Sequence, residues 1–193
     1  MTTRSLPAAL RAAPAPLPSR LFALAAYALG AAAMLALAAF LLDLGPWKTI
    51  VRGDPPIALG APLVGNLGLV LLFALHHSAC ARPAVRRRLA ARLPAGTERA
   101  LYVALSGALL LLLMALWQPM PALLWQAVHP AAQAALLALH AAGWALVIAA
   151  TFQIDHWSLF GLRQAWRPHT MPRQAALATP GLYRGMRHPL MSG

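Results

Sequence analysis

Three short clusters hold side chains whose types and spacing could do chemistry: His76-His77, Asp155-His156 and Arg187-His188. A histidine beside a carboxylate is either a general base with its orienter or a polar pair capping a helix end. Paired histidines can hold a metal or accept a proton. Adjacent helical residues point about 100° apart, however, so His76 and His77 chelate poorly together and no metal is expected. The single cysteine, Cys80, excludes an internal disulfide and a Cys-rich metal cluster. Arg187 offers a fork for an anion, and Pro189 suits the first turn of a helix. Glu98 is a further candidate.

The elements that must position these residues follow from hydropathy. The chain has 193 residues, 60% hydrophobic and 10% charged, with mean hydropathy +0.63. Soluble domains are about 25% charged, so a soluble enzyme is a poor reading. A bilayer core takes roughly 20 apolar helical residues. Four stretches qualify: 21–42, 57–80, 101–117 and 131–152. Lipid cannot satisfy backbone polar groups, so these are helices. The expected fold is an all-α polytopic transmembrane helix bundle. The first stretch is too long for the apolar core of a signal peptide. Residues 1–20 hold four prolines and read as a disordered cytoplasmic lead, leaving 21–193 as the membrane domain.

Charge sets the expected topology. One alternating side of the spans collects 14 of the 16 basic residues. The positive-inside rule places that side, with both termini, in the cytoplasm. The net charge of +12 therefore belongs to anchors facing anionic membrane lipid, and no nucleic-acid partner is expected. In this topology all three clusters lie at cytoplasmic span ends and are expected to converge. His140 lies mid-span and is expected to make a hydrogen bond facing the bundle.

Longer motifs carry a resemblance. They are Ala74-Leu75-His76-His77-Ser78, Ala81-Arg82-Pro83, Glu98 to Ser106, Thr151 to His156, Phe160-Gly161-Leu162-Arg163-Gln164, and Gly181-Leu182-Tyr183 before Arg187-His188-Pro189. In this order they resemble the methanethiol S-methyltransferase family, within the isoprenylcysteine carboxyl methyltransferase-like membrane methyltransferase superfamily. The resemblance implies S-adenosylmethionine (S-adenosyl-L-methionine) as methyl donor, bound on the cytoplasmic side by Gly181, Tyr183, Arg187, His188 and Pro189. It implies a bacterial inner-membrane enzyme that converts a small thiol, methanethiol, to dimethyl sulfide. The thiolate is the nucleophile, so a base is needed, and the candidates are His77, Asp155 and His156. Prenylcysteine carboxylate or another lipid-soluble acceptor is the alternative within this class. A non-catalytic accessory protein on the same scaffold is the alternative outside it. Family members continue through two more helical segments to a Glu-Glu element. A fifth span is therefore expected to be cut off after Pro189, with little activity in this chain alone. The sequence does not specify an oligomeric state.

Overall fold

The computed structural model describes residues 15–45, 48–53, 60–120 and 125–166. Every regular element among them is helical. In chain order they are α1 (Leu17–Leu41), α2 (Gly60–Ala81), α3 (Pro83–Ala90), α4 (Glu98–Leu116), α5 (Pro130–Ile154), α6 (His156–Leu159) and α7 (Leu162–Trp166). Four of them, α1, α2, α4 and α5, are long and apolar enough to cross a membrane. They match the four expected spans to within a few residues. Residues 57–59, expected to open the second span, lie outside the described residues. The basic stretch after α2 contains α3. The protein is an integral membrane protein.

Proline and polar caps set the helix starts. Pro18, Pro62 and Pro83 each stand in a first turn, where a missing N–H costs nothing. At α5 the Nδ1 of His129 accepts from Ala131 N–H at 3.2 Å, capping a turn that Pro130 begins. Glu98 opens α4, where its negative charge suits the helix dipole.

The chain divides into two compact units. The first comprises residues 1–121 and 160–171, and so contains α1 to α4 and α7. Helices α1 and α4 run in the same direction and pack along a seam of small residues. Ala23, Ala26, Gly30 and Ala33 face Ala100, Val103, Gly107 and Leu110 at helical spacing. A methyl group on Gly107 would lie 3.2 Å from the Cα of Gly30. Only hydrogen at both positions lets the backbones approach this closely. In lipid, where tails are as apolar as leucine, such packing is what drives helices together. The large apolar side chains point outward instead: Leu35 is 73% exposed and Val64 72%.

The segment Phe160–Trp166 closes onto the start of this seam. Leu162 and Ala165 are buried with Ala23, Ala26 and Ala100. Phe160 meets Tyr27 edge to face at 5.6 Å. The turn between them needs Gly161, at φ 87°, because a Cβ there would stand 2.7 Å from the backbone N of Ala100. Phe160-Gly161-Leu162-Arg163-Gln164 is thus a docking segment.

The second unit comprises residues 122–159 and 172–193. Its described part is α5 running into α6. Trp144 Nε1–H donates to His140 Nε2 at 3.0 Å, one turn away. One hydrogen bond of His140 is therefore made within its own helix, from the indole one turn on.

Candidate functional site

Helix α2 runs antiparallel to α4, so its end lies beside the start of α4. Phe73 and His77, one turn apart, stack at 5.4 Å between ring centroids. The imidazole of His77 faces Tyr102 and Ser106, themselves one turn apart on α4. The Tyr102 hydroxyl oxygen lies 2.9 Å from His77 Nε2 and 3.1 Å from Nδ1. Ser106 Oγ lies 3.4 Å from Nδ1. The guanidinium of Arg99 sits over the Tyr102 ring, 5.1 Å from its centroid, in a cation–π contact. Arg86 and Cys80 are also within electrostatic reach of Tyr102.

The two adjacent histidines have different fates. His77 is held by α4. Both ring nitrogens of His76, and the Nε of Arg86, are buried and meet no hydrogen-bond partner among the described residues. One end of the first unit therefore gathers imidazole, phenol, hydroxyl and guanidinium groups. Such a group can accept a proton and attract an anion. Among the described residues no group of three His, Cys, Asp or Glu side chains could hold a metal ion.

Asp155 and His156 lie in the second unit, at the α5–α6 junction. Asp155 adopts φ 152°, a strained conformation for a residue with a side chain. It turns the chain, and its Oδ1 accepts from Ser158 N–H at 3.2 Å, capping α6. The Thr151 hydroxyl donates its one proton to the Ile148 carbonyl at 2.7 Å. The same hydroxyl lies 2.8 Å from His156 Nδ1. Burial holds the His156 pKa below its ordinary value of 6.5, so the neutral form prevails at pH 7. Phe152 stacks on the ring at 4.2 Å and Trp157 meets its edge at 5.1 Å.

Tyr102 and Ser106 were within the quoted motifs but were not singled out as site residues. Depth would have found them. An imidazole one turn before the end of one span and a phenol one turn into the next, antiparallel span share a level. Gly181, Tyr183, Arg187, His188 and Pro189 lie outside the described residues.

A methanethiol S-methyltransferase of Mycobacterium tuberculosis is 45% identical over 141 residues, covering 70% of this chain and 56% of the relative. Methanethiol S-methyltransferase 2 of Bradyrhizobium diazoefficiens is 44% identical over 148 residues, covering 76% of this chain and 56% of the relative. A methanethiol S-methyltransferase of a Pseudomonas species is 38% identical over 176 residues, covering 90% and 67%. The chain thus spans a little over half the length of the first two relatives. No solved structure matches it. The family described as NnrU protein matches residues 66–193, a range that contains all three of the clusters at His76-His77, Asp155-His156 and Arg187-His188. The chain belongs to the NnrU protein family.

Proposed function

We propose that the full-length protein transfers a methyl group from S-adenosylmethionine to a small thiol, converting methanethiol to dimethyl sulfide. The relatives that bear that activity in their names support this. The observation that carries it in this chain is His77, held against Tyr102 and Ser106 at the end of a span. When bound, the cofactor supplies an electrophilic methyl group on a cationic sulfur. Its carboxylate suits the described donors, because the buried Arg86 Nε and the His76 ring want an acceptor. Gly181, Tyr183, Arg187, His188 and Pro189 are its further proposed contacts.

The residues of the chain have two tasks. One is to make the thiolate: the S–H bond breaks, its proton passes to an imidazole nitrogen, and the sulfur keeps the electron pair. His77 is the proposed base. His156, held neutral by burial and turned by Asp155, is the competing candidate. The other task is alignment. The attacking sulfur, methyl carbon and leaving sulfur must lie in line, with water excluded, and apolar walls suit that need. The proposed location is a bacterial inner membrane, with both termini in the cytoplasm; the 14 to 2 division of basic residues supports that orientation.

Membranes carrying the full-length protein, given methyl-labelled S-adenosylmethionine and methanethiol, should release labelled dimethyl sulfide. Labelling of a prenylcysteine acceptor instead would favour that substrate class. No labelled product from either would overturn the enzymatic reading.

A further inference from the structure

The stretch 82–99 joins the second span to the third at one membrane surface. It carries six arginines and one carboxylate, Glu98, which is the only acidic side chain in residues 55–154. Helix α3 occupies the middle of this stretch, and it has two faces. Val85, Arg86 and Leu89 are half-buried, and the Nε of Arg86 is covered completely. Arg87 and Arg88 are exposed on the opposite side, while Arg82 and Arg92 are exposed just before and just after the helix. Among the described residues none of these four exposed arginines makes an ion pair. Arg82 directly follows Ala81, the last residue of α2, so the row begins where a span ends. An eight-residue helix is about 12 Å long, and arginine stems extend toward an interface, so the row stays near the headgroups. A guanidinium fork matches a phosphate bidentately.

We propose that the outward face of α3, with Arg82, Arg87, Arg88 and Arg92, is a docking surface for acidic phospholipid headgroups, and that this contact pins the helix with Arg86 turned inward. The surface follows from charge and placement alone; its effect on the cofactor rests on the methyltransferase reading. A zwitterionic headgroup brings its own cation and leaves the row unmatched, whereas an acidic one supplies the charge that the chain lacks. Each basic residue near an anionic leaflet strengthens the attraction about fivefold. A nucleic acid would need the row clear of the bilayer, but both ends of the stretch are tied to spans. On the inner face, Arg86 lies within electrostatic reach of Arg99 and Tyr102. Its covered Nε is a proposed donor to the cofactor carboxylate. Lipid on one face of α3 and cofactor on the other therefore favour the same placement of the helix, and each strengthens the binding of the other.

The test places the full-length protein in nanodiscs of phosphatidylcholine alone, or of equal parts phosphatidylcholine and phosphatidylglycerol. Native mass spectrometry of protein released from the mixed discs should find the retained lipid enriched in phosphatidylglycerol. Arg87→Gln combined with Arg88→Gln should cut that enrichment about tenfold or more, at roughly fivefold per charge. Arg87→Lys combined with Arg88→Lys should largely keep it. Both positions are exposed, and four arginines of the stretch remain to hold the orientation, so these variants should fold and insert. S-adenosylmethionine should bind wild type several-fold more tightly in the mixed discs, and the glutamine variant should lose that gain. No enrichment in wild type, or enrichment unchanged in the glutamine variant, would overturn the docking surface. Displacement of the lipid by inorganic phosphate, beyond that by chloride at equal ionic strength, would assign the face to a soluble anion and overturn it as well. Equal cofactor affinity in the two discs would overturn the pinning of Arg86. Wild type that binds no cofactor in either disc would instead overturn the proposed function, while lipid enrichment would still decide the surface.

Discussion

The first unit has two polar ends, and they are built differently. At one end the loop after α1 folds onto the close of α4. Asn66, 3% exposed, donates from Nδ2 to the Gln118 carbonyl at 2.8 Å and accepts from Gln118 N–H at 2.9 Å. Trp117 Nε1–H donates to the Ile50 carbonyl at 3.2 Å. Arg52 pairs with Asp43 at 3.1 Å and donates to the Gly45 carbonyl, while Thr49 donates to Asp43. Here side chains mostly close on backbone groups freed where a helix stops. At the other end His77, Tyr102 and Ser106 close on one another, and His76 meets no partner among the described residues. Both ends are polar within an apolar protein. Polar groups that satisfy backbone hold the fold, because an unpaired amide in lipid costs several kcal/mol. Titratable groups that satisfy each other add little to the fold and can change protonation, which suits them to chemistry.

The comparison can be broken by removing each end in turn. The largest effect should come from His77→Ala in the full-length protein. Activity should drop by about 10²- to 10⁴-fold, the usual worth of a general base, with thermal stability nearly unchanged. His156→Ala measured beside it decides between the two candidate bases: whichever loses more turnover at constant cofactor affinity is the base. Asn66→Leu should do the reverse. It strips two buried hydrogen bonds and should destabilise by about 2–4 kcal/mol in denaturant melts, while protein that remains folded keeps its turnover within about twofold. A large turnover loss in folded Asn66→Leu would merge the two ends and defeat the distinction.

Smaller effects sharpen it. Gly107→Ala pushes a methyl to 3.2 Å from the Gly30 Cα. Overpacking of this kind should cost about 1–3 kcal/mol, and it should loosen both ends together. The His156 ring gives a pH signature. Its folded pKa lies below the unfolded value of 6.5, so the unfolded chain binds the proton more readily. Stability from this group is full above about pH 6.5 and declines as pH falls below that, until the folded form also protonates. Melts from about pH 5 to 8 should show this decline, and His156→Gln should flatten it. Arg52→Met should change stability least, by about 0–1 kcal/mol, because the pair with Asp43 is half-exposed and water already screens it.

Much of the fold could be read directly from residue order. Four runs of about 20 apolar residues mean four helices, because the backbone must satisfy itself in lipid whatever surrounds it. The starts at Leu17, Gly60, Glu98 and Pro130 fall close to the expected places for that reason. The clusters around His77 and His156 stood out because polar side chains are costly near a membrane and so are few.

Faces and partners were another matter. In water, a stripe of apolar residues marks the side of a helix that packs. In lipid the outward side is apolar too, so Leu35 and Val64 carry the same signature as a core residue while facing outward. Nothing in residue order therefore paired Gly30 with Gly107, or set Tyr102 against His77 across 25 positions. Nor did it decide that His140 would be satisfied by Trp144 on its own helix, or that the motif at Phe160–Gln164 would dock beneath Ala100. Amino-acid order fixed what crosses the membrane and which residue types lie near its surfaces, since both follow from transfer energies summed along a segment. Which imidazole meets a phenol, and which glycine admits a neighbouring backbone, depends on helix rotation and register. Only the packed helices determine those, because the energy that selects them is contact between surfaces distant in sequence.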